Sequence, residues 1–344
     1  MLRFLLRRLL WLAITLFTVM TVTFFLMHQV PGGPFSNERA LDPAIEANIQ
    51  KKYHLDWPLW RQYLQYTGPF NLDDERALLP PPDGEGSGGL WRSELEGDRP
   101  AKAFGGVLAG DFGPSFKYKD YSVNDIIAQS LPISALLGVL SMMFALSLGV
   151  SAGIASALRP GSKLDLSLRL AATGGIALPN FVIAGFMVIL FVFLIPLLPV
   201  AGWGTIRHML LPGFCLGLVF AAYIARLTRT GMLEALSSDH IRTAHAKGLS
   251  SSTVVMRHAL KGGLLPVVSY LGPATAGILT GSLVIESIFF ISGTGQHFIR
   301  AAINRDYTLA MGVTILFTVL VYVLNTVVDI AYTLLDPRIS LEDE

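Results

Sequence analysis

The chain has 344 residues, of which 52% are hydrophobic and only 15% are charged, and its formal net charge is +1. Soluble domains carry about 25% charged residues, so this composition favours a membrane protein, and the near-neutral charge argues against an electrostatic nucleic-acid binder. The single cysteine, Cys215, excludes an intrachain disulfide.

Six uncharged or nearly uncharged apolar runs approach or exceed the length that crosses a bilayer as a helix, about 17 to 25 residues. They predict an all-α polytopic membrane protein with one leading span and a five-span core. Kinks or loop entries are predicted at four of the prolines in or beside these runs: Pro179, Pro196, Pro199 and Pro212. The six predicted spans are residues 9–30, 126–150, 170–195, 209–225, 262–290 and 308–335.

Short basic loops set the orientation of the predicted spans. Arginines precede the first span, and further arginines and lysines lie in the connections 159–169 and 226–261. The positive-inside rule assigns these three segments to the cytoplasm. Six spans then return the tail 336–344 to the cytoplasmic side. No small-x-small cleavage site follows the first apolar run, so residues 1–30 are expected to remain as a tail and a span.

The segment 31–125 is expected outside the cytoplasm, because long segments are translocated largely regardless of charge. Residues 42–66 predict a helix whose aromatic side chains suit the membrane interface. Two interpretations stay open for these aromatic residues, packing against the outer ends of the spans and contact with substrate. Residues 68–104 are rich in glycine, proline and acidic side chains and predict a flexible insertion. The five-span core then occupies 126–335.

The connection 226–261 contains a sequence typical of a docking element. Residues 239–249 predict a short helix that Gly248 closes in the left-handed conformation, and the serines at 250–252 can cap a second helix. The alternative is a basic loop that only sets topology. The residues expected to contact a partner are Arg242, Thr243, Ala244, Lys247, Gly248 and Leu249.

Two carboxylates fall in the predicted spans, where a charge at the centre costs about 2.5–3.5 kcal/mol and should face protein or water. Glu286 is expected either to line a pathway or to bond to the irregular turn 292–295. Asp329 follows Asn325 by four residues and shares its helical face. That pair is interpreted as interhelical bonding, with substrate contact as the alternative.

Two motifs that resemble a catalytic site and a metal site are better explained by structural roles. Residues 149–153 match the hydrolase elbow G-x-S-x-G but lie in an uncharged span, where the same residues form a G-x-x-x-G packing face. His240 and His245 are five residues apart and do not share a helical face, so no metal site is predicted. No G-x-x-x-x-G-K-[ST] sequence occurs in the chain.

Six motifs in order resemble one family of transporters. They are 31–34, 110–116, 241–249 with 257–260, 281–289, 304–307 and 325–338. Together they resemble the permease subunits of ABC importers of the peptide and nickel branch, most closely the B subunits of oligopeptide permeases. Arg242 and Thr243 stand where the general family pattern has Glu and Ala, which is usual in the peptide branch, and Lys261 stands where that pattern often has Pro. The insertion 68–104 is longer than the family's linker.

The resemblance implies a permease subunit that moves oligopeptides or dipeptides across the inner membrane into the cytoplasm. Its implied partners are a homologous second permease, two cytoplasmic ATPase subunits that hydrolyse ATP, a periplasmic peptide-binding protein and membrane lipid. No cofactor is expected on this chain, which is not expected to be an enzyme. The alternative is a self-sufficient secondary transporter of a small solute. Inverted internal repeats and several midplane charges would favour it, and the sequence shows neither.

Overall fold

The computed structural model of the protein describes residues 2–30, 33, 34, 55–68, 106–118 and 121–335, and most of them are helical. Helix is the expected state of an apolar membrane segment because it satisfies the backbone polar groups internally. The helices are α1 (Leu2–Gln29), α2 (Leu59–Thr67), α3 (Val123–Leu158), α4 (Lys163–Ala177), α5 (Asn180–Leu194), α6 (Ile206–Ser237), α7 (Asp239–Ala246), α8 (Ser251–Gly263), α9 (Leu265–Ile288), α10 (Thr294–Asn304) and α11 (Tyr307–Leu335).

The predicted spans all coincide with helices, but two of them are bent. Helices α1, α3, α6 and α11 are each long and apolar enough to cross a membrane. Helices α4 and α5 meet at 109°, and α8 and α9 meet at 49°. With each bent pair counted as one span, the described chain contains six. The sharper bend falls at Pro179, which lacks a backbone N–H and disfavours helix at Leu178 before it.

The predicted outer helix 42–66 is seen in its last part only. Helix α2 covers Leu59–Thr67, while residues 42–54 lie outside the described residues. The same holds for 69–104 of the predicted insertion and for the tail 336–344.

Contacts divide the chain into two units, and the first comprises Met1–Ala13, Pro132–Gln296 and Phe317–Glu344. Helices α3 and α6 cross here at glycines. A Cβ on Gly149 would lie 2.7 Å from Ile224, and a Cβ on Gly153 would lie 2.7 Å from the carbonyl oxygen of Ala225. This confirms the helix-packing interpretation of 149–153. The buried apolar core beside the crossing includes Leu137, Leu211, Leu216, Ile278, Ile285 and Phe289.

The second unit comprises Ile14–Leu131 and His297–Leu316. In it, α2 packs on α1: the Tyr63 hydroxyl lies 2.7 Å from the Thr21 hydroxyl, and Tyr66 is buried in one cluster with Phe24. Of the two interpretations of the outer aromatic residues, packing against a span is therefore confirmed for Tyr63 and Tyr66.

Two of the recognised motifs meet at Asp306 in this second unit. The buried carboxylate caps α11 by accepting the Leu309 N–H at 3.2 Å. It also accepts the Phe116 N–H at 3.2 Å and the Ser115 hydroxyl. Asp306 thus joins motif 110–116 to motif 304–307.

Candidate functional site

Helix α7 begins one residue after the long helix α6 ends. Ser238 separates them with an extended backbone (φ −75°, ψ 154°), so the chain turns sharply without a loop. Asp239 lies in the first turn of α7, where a negative charge is favourable at the positive end of the helix dipole. The short helix predicted within 239–249 is confirmed at Asp239–Ala246.

The C-terminal end of α7 is closed by a Schellman motif. Gly248 has φ +79°, its N–H donates to the His245 carbonyl at 2.9 Å, and the Leu249 N–H donates to the Ala244 carbonyl at 3.4 Å. Both bonds satisfy carbonyls that the helix end would otherwise leave without partners. A Cβ at Gly248 would meet no atom within 4 Å, so the glycine is required by its conformation and not by crowding.

A second predicted cap lies immediately beyond. The Ser250 hydroxyl accepts the Thr253 N–H at 3.4 Å and begins α8. The six residues Val254–Ala259 then form a π-helical stretch, a geometry that is frequent at functional sites. The sequence predicted the cap, but it carried no signal for the π-helical turns.

The inner face of α7 is anchored in the protein. Ile241 and Ala244 are buried, and they form one apolar cluster with Met232 of α6, Ala157 of α3 and Val254 of α8. The spacing of three residues between Ile241 and Ala244 puts both on one side of the helix. Ala244, which the sequence placed among the partner contacts, therefore packs inward.

The outer face of α7 and its C-terminal turn are exposed. Arg242 and Asp239 form an ion pair at 3.4 Å with side chains that are 77% and 95% exposed. Thr243, Lys247, Gly248 and Leu249 are exposed as well. Two cations, a hydroxyl and an apolar side chain are thus presented on a short helix whose opposite face is fixed.

Helix α8, the first half of the second bent span, makes a close backbone contact with α6 that the sequence did not indicate. A Cβ on Gly231 of α6 would overlap the carbonyl oxygen of Gly263, and a Cβ on Gly263 would lie 2.6 Å from the sulfur of Met232. The backbones of α6 and α8 therefore touch at Gly231 and Gly263. Beyond this point the chain bends by 49° into α9.

An ion-pair cluster near α7, also missed by the sequence, ties three helices together. Asp165 of α4 is fully buried and accepts two hydrogen bonds from Arg229 of α6, at 2.8 and 3.0 Å. It also accepts the Ser156 hydroxyl of α3 at 2.5 Å and the Gly161 N–H at 2.9 Å. Such a bidentate, fully bonded carboxylate fixes geometry strongly, and we call it the Asp165 clasp.

Glu286 is fully buried and bonded to α3 and to the first turn of α10. Its carboxylate accepts the Ser134 hydroxyl at 2.7 Å and the Gln296 N–H at 3.0 Å. Ser134 accepts in turn the Thr294 N–H at 2.8 Å. A Cβ on Gly293 would overlap the Glu286 carboxylate, so glycine is needed for this approach. Of the two alternatives for Glu286, these contacts favour bonding to the turn.

The pair Asn325 and Asp329 faces other helices. Asp329 forms an ion pair with Arg8 of α1, and the Arg8 guanidinium also lies over the Phe4 and Tyr322 rings, 5.3 and 5.9 Å from their centres. The Asn325 side chain faces Gly272 of α9. Both contacts agree with interhelical bonding. Among the described residues no group of three or more His, Cys, Asp or Glu side chains is placed to hold a metal ion.

These features define a class of protein, the helical membrane proteins with several spans. The chain is similar in fold to a chain of the MetNI methionine ABC transporter in an inward-facing conformation. The TM-score is 0.53 with 18% sequence identity, over 61% of this chain and 96% of that chain.

A family model described as "Binding-protein-dependent transport system inner membrane component" matches residues 149–341, and a model of the N-terminal part of such components matches residues 1–76. The chain belongs to this family of inner-membrane transport components. It is a multi-pass membrane protein, as the apolar runs predict.

Similarity to named relatives extends over almost the whole chain. It is 43% identical over 341 residues to the oligopeptide transport system permease protein OppB of Escherichia coli K12, covering 98% of this chain and 99% of the relative. It is 37% identical over 341 residues to the dipeptide transport system permease protein DppB of Bacillus subtilis, covering 99% of each. The resemblance to ABC importer permeases of the peptide branch is confirmed.

Proposed function

We propose that the chain is one of two membrane subunits of an ATP-driven importer that carries oligopeptides or dipeptides into the cytoplasm. The observation that carries the proposal is the full-length similarity to permeases named for these two substrates. Because the oligopeptide relatives are the more similar, oligopeptides are the preferred substrate class.

Helix α7 is the proposed contact with a cytoplasmic ATPase subunit. Its exposed residues are suited to a groove on a partner, because Arg242 and Lys247 can pair with carboxylates while Leu249 adds apolar area. The ion pair of Arg242 with Asp239 is exposed and worth little, so exchanging it for a partner's carboxylate has a small cost.

Motion of the ATPase would pass from α7 into the spans through packed contacts. Ile241 and Ala244 join α7 to α8, and the backbone contact of Gly231 with Gly263 holds α8 against α6. Since packed interiors resist compression, a displacement of α7 would shift α8 as a rigid body. The 49° bend before α9 is the place where this shift would change the angle of a span.

The energy source lies on other chains in this proposal. Two ATPase subunits hydrolyse ATP, a peptide-binding protein delivers the substrate from outside, and a homologous second permease completes the pathway. This chain binds no cofactor and catalyses no reaction. Its work is to convert the closure of the ATPases into alternating access.

The proposed orientation puts both termini and 226–261 in the cytoplasm, with 31–125 outside. The basic loops support it, and so does the ion pair of Arg8 with Asp329. Arg8 lies near the start of α1 and Asp329 near the end of α11, so the pair brings these two helix ends to the same membrane surface.

Reconstitution of the four-subunit membrane complex in liposomes tests the proposal. We expect uptake of a labelled oligopeptide only when the binding protein is outside and ATP is inside, together with stimulated ATP hydrolysis. A complex without this chain is the control. Peptide uptake by this chain alone, driven by a proton or sodium gradient, would contradict the proposal and favour a secondary transporter.

A further inference from the structure

Two adjoining cavities lie between α3, α4 and α6. The first, about 320 Å³, is lined in part by polar side chains that include Arg169, Arg226 and Arg229. The second, about 650 Å³, is lined almost entirely by apolar side chains and reaches α5. The two share a wall formed by Ala152, Leu168, Ala172 and Ala225. They form one amphipathic cleft with a cationic mouth.

The mouth of the cleft holds more positive than negative charge. Arg229 is bonded to the buried Asp165. Arg169 has a half-exposed side chain 3.5 Å from the same carboxylate, and the exposed Arg226 lies over the Tyr223 ring. Two of the three guanidiniums, those of Arg229 and Arg169, therefore share the Asp165 carboxylate, while the side chains of Arg169 and Arg226 remain open to solvent. Guanidinium groups match the geometry of a phosphate.

The depth of the cleft fits a lipid chain. Its wall on α6 runs from Thr230 at the mouth to Phe214 in the apolar part, which is sixteen residues, or about 24 Å at 1.5 Å per residue. One leaflet contributes about 15 Å of hydrocarbon, with the headgroup layer beyond it. The arginines therefore lie near headgroup level when the apolar part lies at acyl-chain depth.

We propose that this cleft binds one anionic phospholipid of the cytoplasmic leaflet, with its phosphate at Arg169 and Arg226 and one acyl chain in the apolar cavity. Basic pockets between spans on the cytoplasmic side bind such headgroups in general. A helix of another subunit would cover the apolar part, whereas a single phospholipid supplies both an acyl chain for that part and an anion for the arginines. The assignment to the cytoplasmic leaflet rests on the orientation proposed above.

The headgroup contact is tested by native mass spectrometry of the purified transporter complex, delipidated and then titrated with phosphatidylglycerol. The double substitution Arg169→Gln with Arg226→Gln should weaken binding of one phosphatidylglycerol by roughly 30-fold, since each surface cation contributes about fivefold. The control, Arg159→Gln with Lys163→Gln, removes the same charge from exposed residues of the neighbouring turn and should leave that binding unchanged. Phosphatidylcholine should bind the wild-type site more weakly.

The acyl-chain contact is tested with a matched pair of glycines. Gly174 lines the apolar cavity, Gly185 does not, and a Cβ at either would meet no atom within 4 Å. Gly174→Phe should fill the cavity and abolish retention of the lipid, while Gly185→Phe should retain it. The thermal stability of both variants, measured alongside, shows whether each is folded.

Equal loss of phosphatidylglycerol in test and control variants would overturn the proposal. So would crosslinking of a cysteine placed at Thr173 to another subunit with no bound lipid, because the cleft would then be filled by protein. These measurements need no ATP and no peptide, so their outcome is independent of the transport assay. Failure of peptide uptake with intact lipid binding would refute the transport function alone.

Discussion

The exposed face of α7 and the Asp165 clasp lie at the same end of the helical core and use charge in opposite ways. The clasp buries its carboxylate on α4 completely and bonds it to two other helices and a turn. On α7, the side chains of Arg242 and Asp239 are 77% and 95% exposed, and among the described residues they form an ion pair with each other only. One set of charges is saturated within the chain, and the other is left available for a partner.

This difference separates residues that stabilise the fold from residues that are available to bind a partner. A carboxylate withdrawn from water stabilises a fold only if its bonds are complete, and Asp165 meets that condition. Exposed charges contribute little to stability, so their position on a helix anchored by Ile241 and Ala244 points to a role outside the chain. Substitutions should therefore affect stability at the clasp and coupling at α7.

The largest loss of stability is expected for Asp165→Asn. The amide cannot accept the two Arg229 bonds as a charged group does, so the Arg229 guanidinium loses its countercharge beside a buried cluster. Asp239→Asn is the control, because it changes the same group where the side chain is 95% exposed. Thermal unfolding of the purified protein should show a clear fall in Tm for Asp165→Asn and none for Asp239→Asn. Equal effects would mean that burial does not distinguish the two sites.

A smaller but definite loss is expected for Glu286→Ala. The substitution leaves the buried Gln296 N–H and Ser134 hydroxyl without their acceptor, which costs about 1–3 kcal/mol for each group. Glu286→Gln keeps one acceptor oxygen and should lie between alanine and wild type. The exposed Glu234→Ala serves as the control in the same unfolding measurement. If Glu286→Ala unfolds like wild type but abolishes transport, Glu286 belongs to the pathway after all.

The features that sequence predicted are local ones. Uncharged runs located the spans, and Gly248 and Ser250 located helix ends, because a cap or a turn depends on residues within a few positions. The predicted G-x-x-x-G face was confirmed for the same reason. Two glycines on one face of a helix predict close packing against another helix, even when that helix is not known.

Long-range partners could not be predicted. Arg229 and Asp165 are 64 residues apart, and Ser115 and Asp306 are 191 apart. The contact of Gly231 with Gly263 likewise joins α6 to α8, which precede and follow α7 in the chain. Helical periodicity indicates which face of a helix is buried, but it does not indicate what covers that face. Ala244 illustrates the limit, since its inward packing depends on Val254 and Ala157.

The smallest effect on stability is expected for Arg242→Glu, within about 0.5 kcal/mol because the side chain is an exposed surface group. The charge reversal should nevertheless reduce the amount of ATPase that copurifies with the permease. Arg159→Glu makes the same change on an exposed residue of another loop and should retain normal ATPase. Retention of full ATPase binding by Arg242→Glu would exclude Arg242 from the contact.

The most direct test of coupling through α7 compares two glycines with the same backbone conformation. Gly248 has φ +79° and Gly110 has φ +77°, and a Cβ at either would meet no atom within 4 Å. Valine at either position therefore imposes a similar strain of about 1–2 kcal/mol. ATPase recovery and peptide-stimulated ATP hydrolysis would be measured in proteoliposomes for both variants. We predict that Gly248→Val inserts normally but loses ATPase binding and stimulation, while Gly110→Val keeps the ATPase bound. Normal binding and full stimulation in Gly248→Val would contradict coupling through α7.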